Sequence, residues 1–83
     1  MTTTLYVGNL PWATTEEELR RAFAAHGTVH SARIITDRES GRSRGFGFVE
    51  VADEDADRIV SAMNGQLLGG REITVNVAQN QRR

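Results

Sequence analysis

Two stretches of the chain alternate with the two-residue period of a β-strand, yet neither has an ordinary polar side. In Leu5-Tyr6-Val7-Gly8-Asn9-Leu10, Leu5 and Val7 point one way while Tyr6 and Gly8 point the other. In Arg44-Gly45-Phe46-Gly47-Phe48-Val49-Glu50-Val51, Val49 and Val51 share a face with Gly45 and Gly47. Arg44, Phe46, Phe48 and Glu50 share the opposite face. Each strand therefore has an aliphatic face to bury and a second face where aromatic rings sit beside charge. Rings interleaved with arginine suit a surface on which flat, negatively tethered groups such as nucleotides stack, and suit a dry core poorly.

Other segments change period. The first strand stops at Leu10-Pro11, since proline cannot continue a ladder. Thr15 with Glu18 reads as a capping box, and Thr14 with Glu17 would serve nearly as well. Leu19, Ala22 and Phe23 give the helix its apolar stripe, and Gly27 after His26 is a suitable stop. A second strand is expected from about Val29 to Ile35, with Ala32 and Ile34 facing the core and Arg33 and Ile35 facing away. Thr36 to Ser43 is a polar loop around Gly41. A second helix begins near Asp53, where Ala56, Ile59, Val60 and Met63 keep the i, i+3, i+4, i+7 spacing, and Asn64-Gly65 ends it. Leu67 and Leu68 lead to a Gly69-Gly70 turn. A last strand is expected from Arg71 to Ala78, alternating Ile73, Val75 and Val77 with Glu72, Thr74 and Asn76.

The order is βαββαβ, an α+β class. Two right-handed crossovers place both helices on one face of a four-stranded antiparallel sheet, with the first and third strands side by side at its centre. Tyr6, Phe46 and Phe48 then gather on the face no helix covers. An uncovered face with three rings is a liability unless something binds it. Gly45 and Gly47 fall on the buried face, where close approach of the helices would call for glycine. A Gly-x-Gly inside a strand with no helix opening behind it does not fit a dinucleotide-binding fingerprint.

The two runs, about forty residues apart, resemble the paired signature segments of the RNA recognition motif family. Leu5–Leu10 is similar to the shorter segment. Arg44–Val51 matches the longer one, basic-Gly-aromatic-Gly-aromatic-Val-x-aromatic, at all positions but Val51, where the family prefers an aromatic. By alternation Val51 faces the aliphatic side, so the departure bears on packing. The resemblance spans about residues 3–78, leaving 79–83 as a short polar tail, and implies a ferredoxin-like fold that binds single-stranded RNA. By the same resemblance Tyr6 and Phe48 each stack a base, Phe46 lies against ribose, and Arg44 pairs with a phosphate. Asn9, Arg33 and Asn76 border the platform and could read base edges or sugar hydroxyls. Arg38 and Arg42 lie on a loop that in relatives wraps over the nucleic acid, with Asp37 and Glu39 close enough to offset them. Ala78, Gln79 and Asn80 follow the last strand, where relatives contact bases, and Arg82 and Arg83 could add phosphate attraction. Trp12 either covers the start of the first helix or lines the edge of the platform.

Composition sets bounds on this reading. Eighty-three residues make one domain. No segment approaches a membrane span, and Met1-Thr2-Thr3-Thr4 lacks the features of a leader. With no cysteine and only His26 and His30 as imidazoles, no metal site and no cofactor is expected. A reducing cytoplasm fits. The formal net charge is −1, modest for a nucleic-acid binder, but all ten basic residues are arginine. Arginine both stacks on bases and forks onto phosphates. Acid collects instead in Glu16-Glu17-Glu18 and Asp53-Glu54-Asp55-Ala56-Asp57, most simply a solvated helix surface.

Catalysis is not expected. Acylphosphatase-like chemistry occurs on this topology but needs a basic, phosphate-cradling loop after the first strand, and residues 8–13 contain no basic residue. A protein-docking relative of the fold would tend to lose its sheet rings, and this chain keeps three. The expectation is a monomeric, non-enzymatic module in post-transcriptional regulation or RNA stabilisation, with single-stranded DNA left open as a ligand.

Overall fold

The computed structural model describes residues 2–11, 13–36 and 43–78, with the side chains of Thr36, Ser43 and Arg44 outside that description. In chain order the elements are β1 (Thr2–Gly8), α1 (Glu16–Ala24), β2 (Val29–Thr36), β3 (Ser43–Ala52), α2 (Asp53–Met63), β4 (Leu67–Leu68), β5 (Arg71–Glu72) and β6 (Thr74–Val77). Four strands form one antiparallel sheet in the order β2-β3-β1-β6, so the two signature runs pair at its centre as expected.

One strand differs from the sequence expectation. The run from Arg71 to Ala78 is not continuous: β4 and β5 close a separate two-stranded hairpin, and only Thr74–Val77 joins the main sheet. Ile73 lies between them because its backbone bonds elsewhere. Its N–H donates to the Gln66 carbonyl (2.9 Å) and its carbonyl accepts from Gly65 (2.9 Å). Alternation survives this break, since Ile73 and Val75 are both buried.

The first helix starts on the capping box. Glu18 N–H donates to Thr15 Oγ1 (3.1 Å) and Thr15 N–H to Glu18 Oε1 (3.0 Å), which selects Thr15 over Thr14. It ends at Ala24 with Ala25 in a right-handed conformation, so Gly27 is not the stop. A Cβ on Gly27 would stand 2.8 Å from Ile59 Cδ1 and 2.9 Å from Asp55 Cβ. The glycine lets the turn after α1 press against α2.

Two of the three acids opening α2, Asp53 and Asp55, also have partners. Thr3 Oγ1 donates to Asp53. The Asp55 carboxylate accepts from Thr28 N–H (2.8 Å) and from Arg58 Nη2 (2.6 Å), while Arg58 Nε donates to the His26 carbonyl (3.0 Å). The Thr28 amide above all, and the Arg58 charge after it, hold the Asp55 carboxyl below its ordinary value.

Both helices pack on one face of the sheet, α1 on β2 and α2 on β6, β1 and β3. Between them Leu5, Val7, Leu19, Phe23, Val49, Val51, Ile59 and Val75 are sealed from solvent, and no polar side chain among the described residues is buried. Burying side chains of this size contributes roughly 1.5–3 kcal/mol each. Gly47 lies in this layer, but a helix is not what crowds it. A Cβ there would fall 2.3 Å from the Arg33 carbonyl oxygen and 3.2 Å from Ile34 Cα. The expectation of close helix approach is corrected accordingly: β2, whose register against β3 shifts between Ile34 and Thr36, leans onto the backbone of Gly47.

Candidate functional site

On the other face, residues of the opposite parity line up in rows across the strands. Arg33, Phe48, Tyr6 and Asn76 form one row through β2, β3, β1 and β6. Phe46, Gly8 and Thr74 form the next towards one end, and Ser31, Glu50 and Thr4 the next towards the other. The register thus brings the three rings together from two neighbouring strands.

Their geometry is a triangle. The Tyr6 ring centroid is 5.9 Å from that of Phe46 and 6.1 Å from that of Phe48, and the two phenylalanines are 6.1 Å apart. Tyr6 and Phe46 are tilted by 30°, whereas Phe48 stands edge-on to both, at 66° and 88°. Edge-to-face pairs of this kind are attractive and fix ring orientation. Each ring is half-buried by its neighbours, not sunk into the core.

Gly8 permits the arrangement. A Cβ there would lie 2.7 Å from Tyr6 Oη and 2.9 Å from Cε2, so the tyrosine ring lies across the space a larger residue would fill. Gly45 takes a left-handed φ of 87°, and its carbonyl accepts from Leu10 N–H (2.9 Å), tying the exit of β1 to the start of the ring-bearing strand.

The polar residues expected around the platform divide. Arg33 and Asn76 flank Phe48 and Tyr6, both exposed, and neither makes a side-chain bond among the described residues. Asn9 is already engaged. In a left-handed conformation (φ 59°), its Nδ2 donates to the Glu72 carbonyl (2.6 Å) and its Oδ1 accepts from Arg71 Nη2 (2.6 Å). Its amide clasps the β4–β5 hairpin to the end of β1. Ala78 is buried, and its N–H donates to the Thr4 carbonyl (2.9 Å), leaving its own carbonyl as the group it could offer. Ile35 is half-buried. The expectations for Trp12, Arg38, Arg42, Gln79, Asn80, Arg82, Arg83 and the Arg44 side chain fall outside the described residues.

Sequence reasoning passed over Ser31 and Arg71. Ser31 Oγ donates to Glu50 Oε1 (2.8 Å) on the platform face. Its signal was parity: it lies two residues before Arg33 on the same strand. Arg71 had no comparable signal, because its partner Asn9 is far away in sequence.

Chemically, the described residues of this face offer three ring surfaces, the Arg33 guanidinium and Asn76 amide without a partner among those residues, and the Glu50 carboxylate. Among the described residues no group of three histidine or acidic side chains could hold a metal ion. No helix among them is long and apolar enough to cross a membrane.

Comparison with known proteins places this geometry in context. The sequence model of the RNA recognition motif matches residues 5–74. The glycine-rich RNA-binding protein blt801 of Hordeum vulgare is 56% identical over 78 residues, covering 93% of this chain and 48% of the relative. The chloroplastic RNA-binding protein CP31B of Arabidopsis thaliana is 50% identical over 80 residues, covering 95% of this chain and 28% of the relative. The chain therefore spans less than half the length of either. Among solved structures, the crystal structure of RNA Binding Protein PG1 is similar with a TM-score of 0.88 at 44% identity, covering 98% of this chain and 99% of that one.

Proposed function

The chain belongs to the RNA recognition motif family, and from that membership we propose that it binds single-stranded RNA on the uncovered sheet face, without catalysing a reaction on it. The observation that carries the reading is the triangle of Tyr6, Phe46 and Phe48 on the face opposite the helices. A base laid on Tyr6 or Phe48 replaces water over an apolar surface, and such stacking contributes roughly 1–3 kcal/mol per base. Tyr6 and Phe48 each take one base, and Phe46 supports the ribose between them. Arg33 supplies a cation next to Phe48, and Asn76 a donor and an acceptor next to Tyr6. Arg44 and Arg42 pair with phosphates, and Ala78 and Gln79 meet a base at the far edge.

Residues 3–78 are the binding unit in this reading and 79–83 its tail. It acts as a monomer in the cytoplasm, in post-transcriptional regulation or RNA stabilisation. The names of the relatives support RNA as the ligand, and the absence of cysteine fits a reducing compartment. The relative CP31B is chloroplastic by name.

Tyr6→Ala and Phe48→Ala test it. Each should weaken binding to a ten-nucleotide single-stranded RNA by about 5- to 150-fold, the equivalent of one lost stack, with an unchanged far-ultraviolet circular dichroism spectrum. Wild-type affinity in both variants would remove the stacking mechanism. Running the matching deoxyribose oligonucleotide alongside decides between RNA and single-stranded DNA.

A further inference from the structure

Beyond Phe48, at the end of the platform away from Phe46, the sheet presents an acid held by a hydroxyl. Glu50 stands opposite Thr4 on β1 and Ser31 on β2, and Ser31 Oγ donates to Glu50 Oε1 (2.8 Å). Both residues are exposed. No cation among the described residues lies within ion-pair distance of Glu50, although Arg33 is on the same face two residues along the ladder. The Ser31 bond uses one lone pair of Oε1. No second hydrogen bond to this carboxylate is made among the described residues, so its remaining acceptor capacity, Oε2 included, is left for a ligand.

A carboxylate here repels any phosphate brought near it, so the RNA backbone is steered away from this end of the sheet. What a carboxylate can take is a pair of hydrogen-bond donors, because when ionised it only accepts. Bases splayed on such a sheet are read on their Watson–Crick edges. Guanine alone has two adjacent donors there, N1–H and the N2 amino group, spaced to meet the two oxygens of a carboxylate. Adenine and cytosine set one amino group beside an acceptor nitrogen, and uracil sets its single N–H between two carbonyls. Each of those edges opposes at least one carboxylate oxygen with another acceptor.

From this geometry, and resting on the RNA-binding reading above, we infer that Glu50, positioned by Ser31, selects guanine at the nucleotide beside the Phe48 and Tyr6 stack. Ser31 holds one oxygen in place, so the fork is set before the base arrives. The net selectivity comes from two directions: guanine gains a bidentate contact, while the other bases meet lone pair against lone pair.

Hexauridylates carrying a single guanine at each position in turn, compared with the matching adenine set, test the inference by fluorescence titration. The wild-type protein should prefer guanine over adenine about tenfold at one position, within the range of a bidentate side chain–base contact. In Glu50→Gln that ratio should fall to near one while plain hexauridylate binds at least as well as before, because the charge has gone. Ser31→Ala should lower the ratio part of the way and leave hexauridylate affinity alone. A guanine-to-adenine ratio near one at every position of the wild type, or an unchanged ratio in Glu50→Gln, overturns the proposal. Phe48→Ala is the separate control. If it weakens every hexamer while Glu50→Gln leaves the ratio intact, only the guanine assignment fails. If it weakens none, the stacking reading fails with it.

Discussion

The two faces of the central sheet are made from the same strands and differ only in the parity of the residue each shows. On the helix side, Leu5, Val7, Val49 and Val51 are entirely enclosed and touch other aliphatic groups. On the open side, Tyr6, Phe46 and Phe48 touch mainly each other, at centroid spacings near 6 Å. Both faces bury apolar area, but only the first buries it against the rest of the fold. Folding free energy is therefore concentrated on one parity and ligand contact on the other, so a change on either face should leave the other's property nearly untouched.

The sharpest way to break that separation is from the enclosed side. Phe23→Ala removes a fully buried ring of α1 and should cost about 3–5 kcal/mol of unfolding free energy in urea titration. The fraction still folded should bind RNA at wild-type affinity. A loss well under 1 kcal/mol would mean that the helix layer does not carry the stability assigned to it. Gly47→Ala probes the seam between the faces. Its new methyl would meet the Arg33 carbonyl oxygen, which is backbone and cannot swing aside. About 1–3 kcal/mol of destabilisation is expected, and since β2 must move, RNA affinity should fall too. This variant alone should affect both properties, and one that altered neither would show that β2 does not lean on β3 there.

The smallest effect lies in the helix layer, at Asp55 of α2. The Asp55 carboxyl is held below its ordinary value, first by the Thr28 amide and then by Arg58. A carboxyl depressed in the folded state stabilises the fold above its unfolded value near pH 4, and that contribution fades as pH falls through the folded value. Asp55→Asn should melt at a slightly lower temperature than the wild type at pH 7. The gap should close as melting is repeated down towards pH 2, with RNA affinity at pH 7 unchanged. A gap that stayed constant with pH would assign the loss to geometry and not to charge.

What could be read from the sequence depended on how local its cause was. The parity of Tyr6, Phe46 and Phe48 and the Thr15–Glu18 cap are set within a few residues of chain, and periodicity or spacing exposes them. The split of the last strand was hidden because alternation continues through Ile73 while its hydrogen bonds leave the main sheet. The crowding at Gly47 depends on a register shift in another strand, and the use of Gly27 on where α2 happens to pass. Asn9 looked like a free polar group beside the platform. Its hold on Arg71 and on Glu72 spans most of the chain and leaves no local trace. Ser31 was within reach, since it shares the face of Arg33, but the hydroxyl gained meaning only once its bond to Glu50 was seen.

One contact made by the first helix has a consequence for how the molecule lives among its own copies. Glu16 Oε2 accepts the N–H of Ile34 (3.1 Å) on β2, the outermost strand on that flank. An outer strand with vacant amides is a template onto which a neighbouring polypeptide can zip, the first step towards fibrous aggregates. Here a fixed anion occupies that amide. An incoming chain would have to evict the glutamate before it could extend the ladder past Ile34, so the outer strand is guarded at that position.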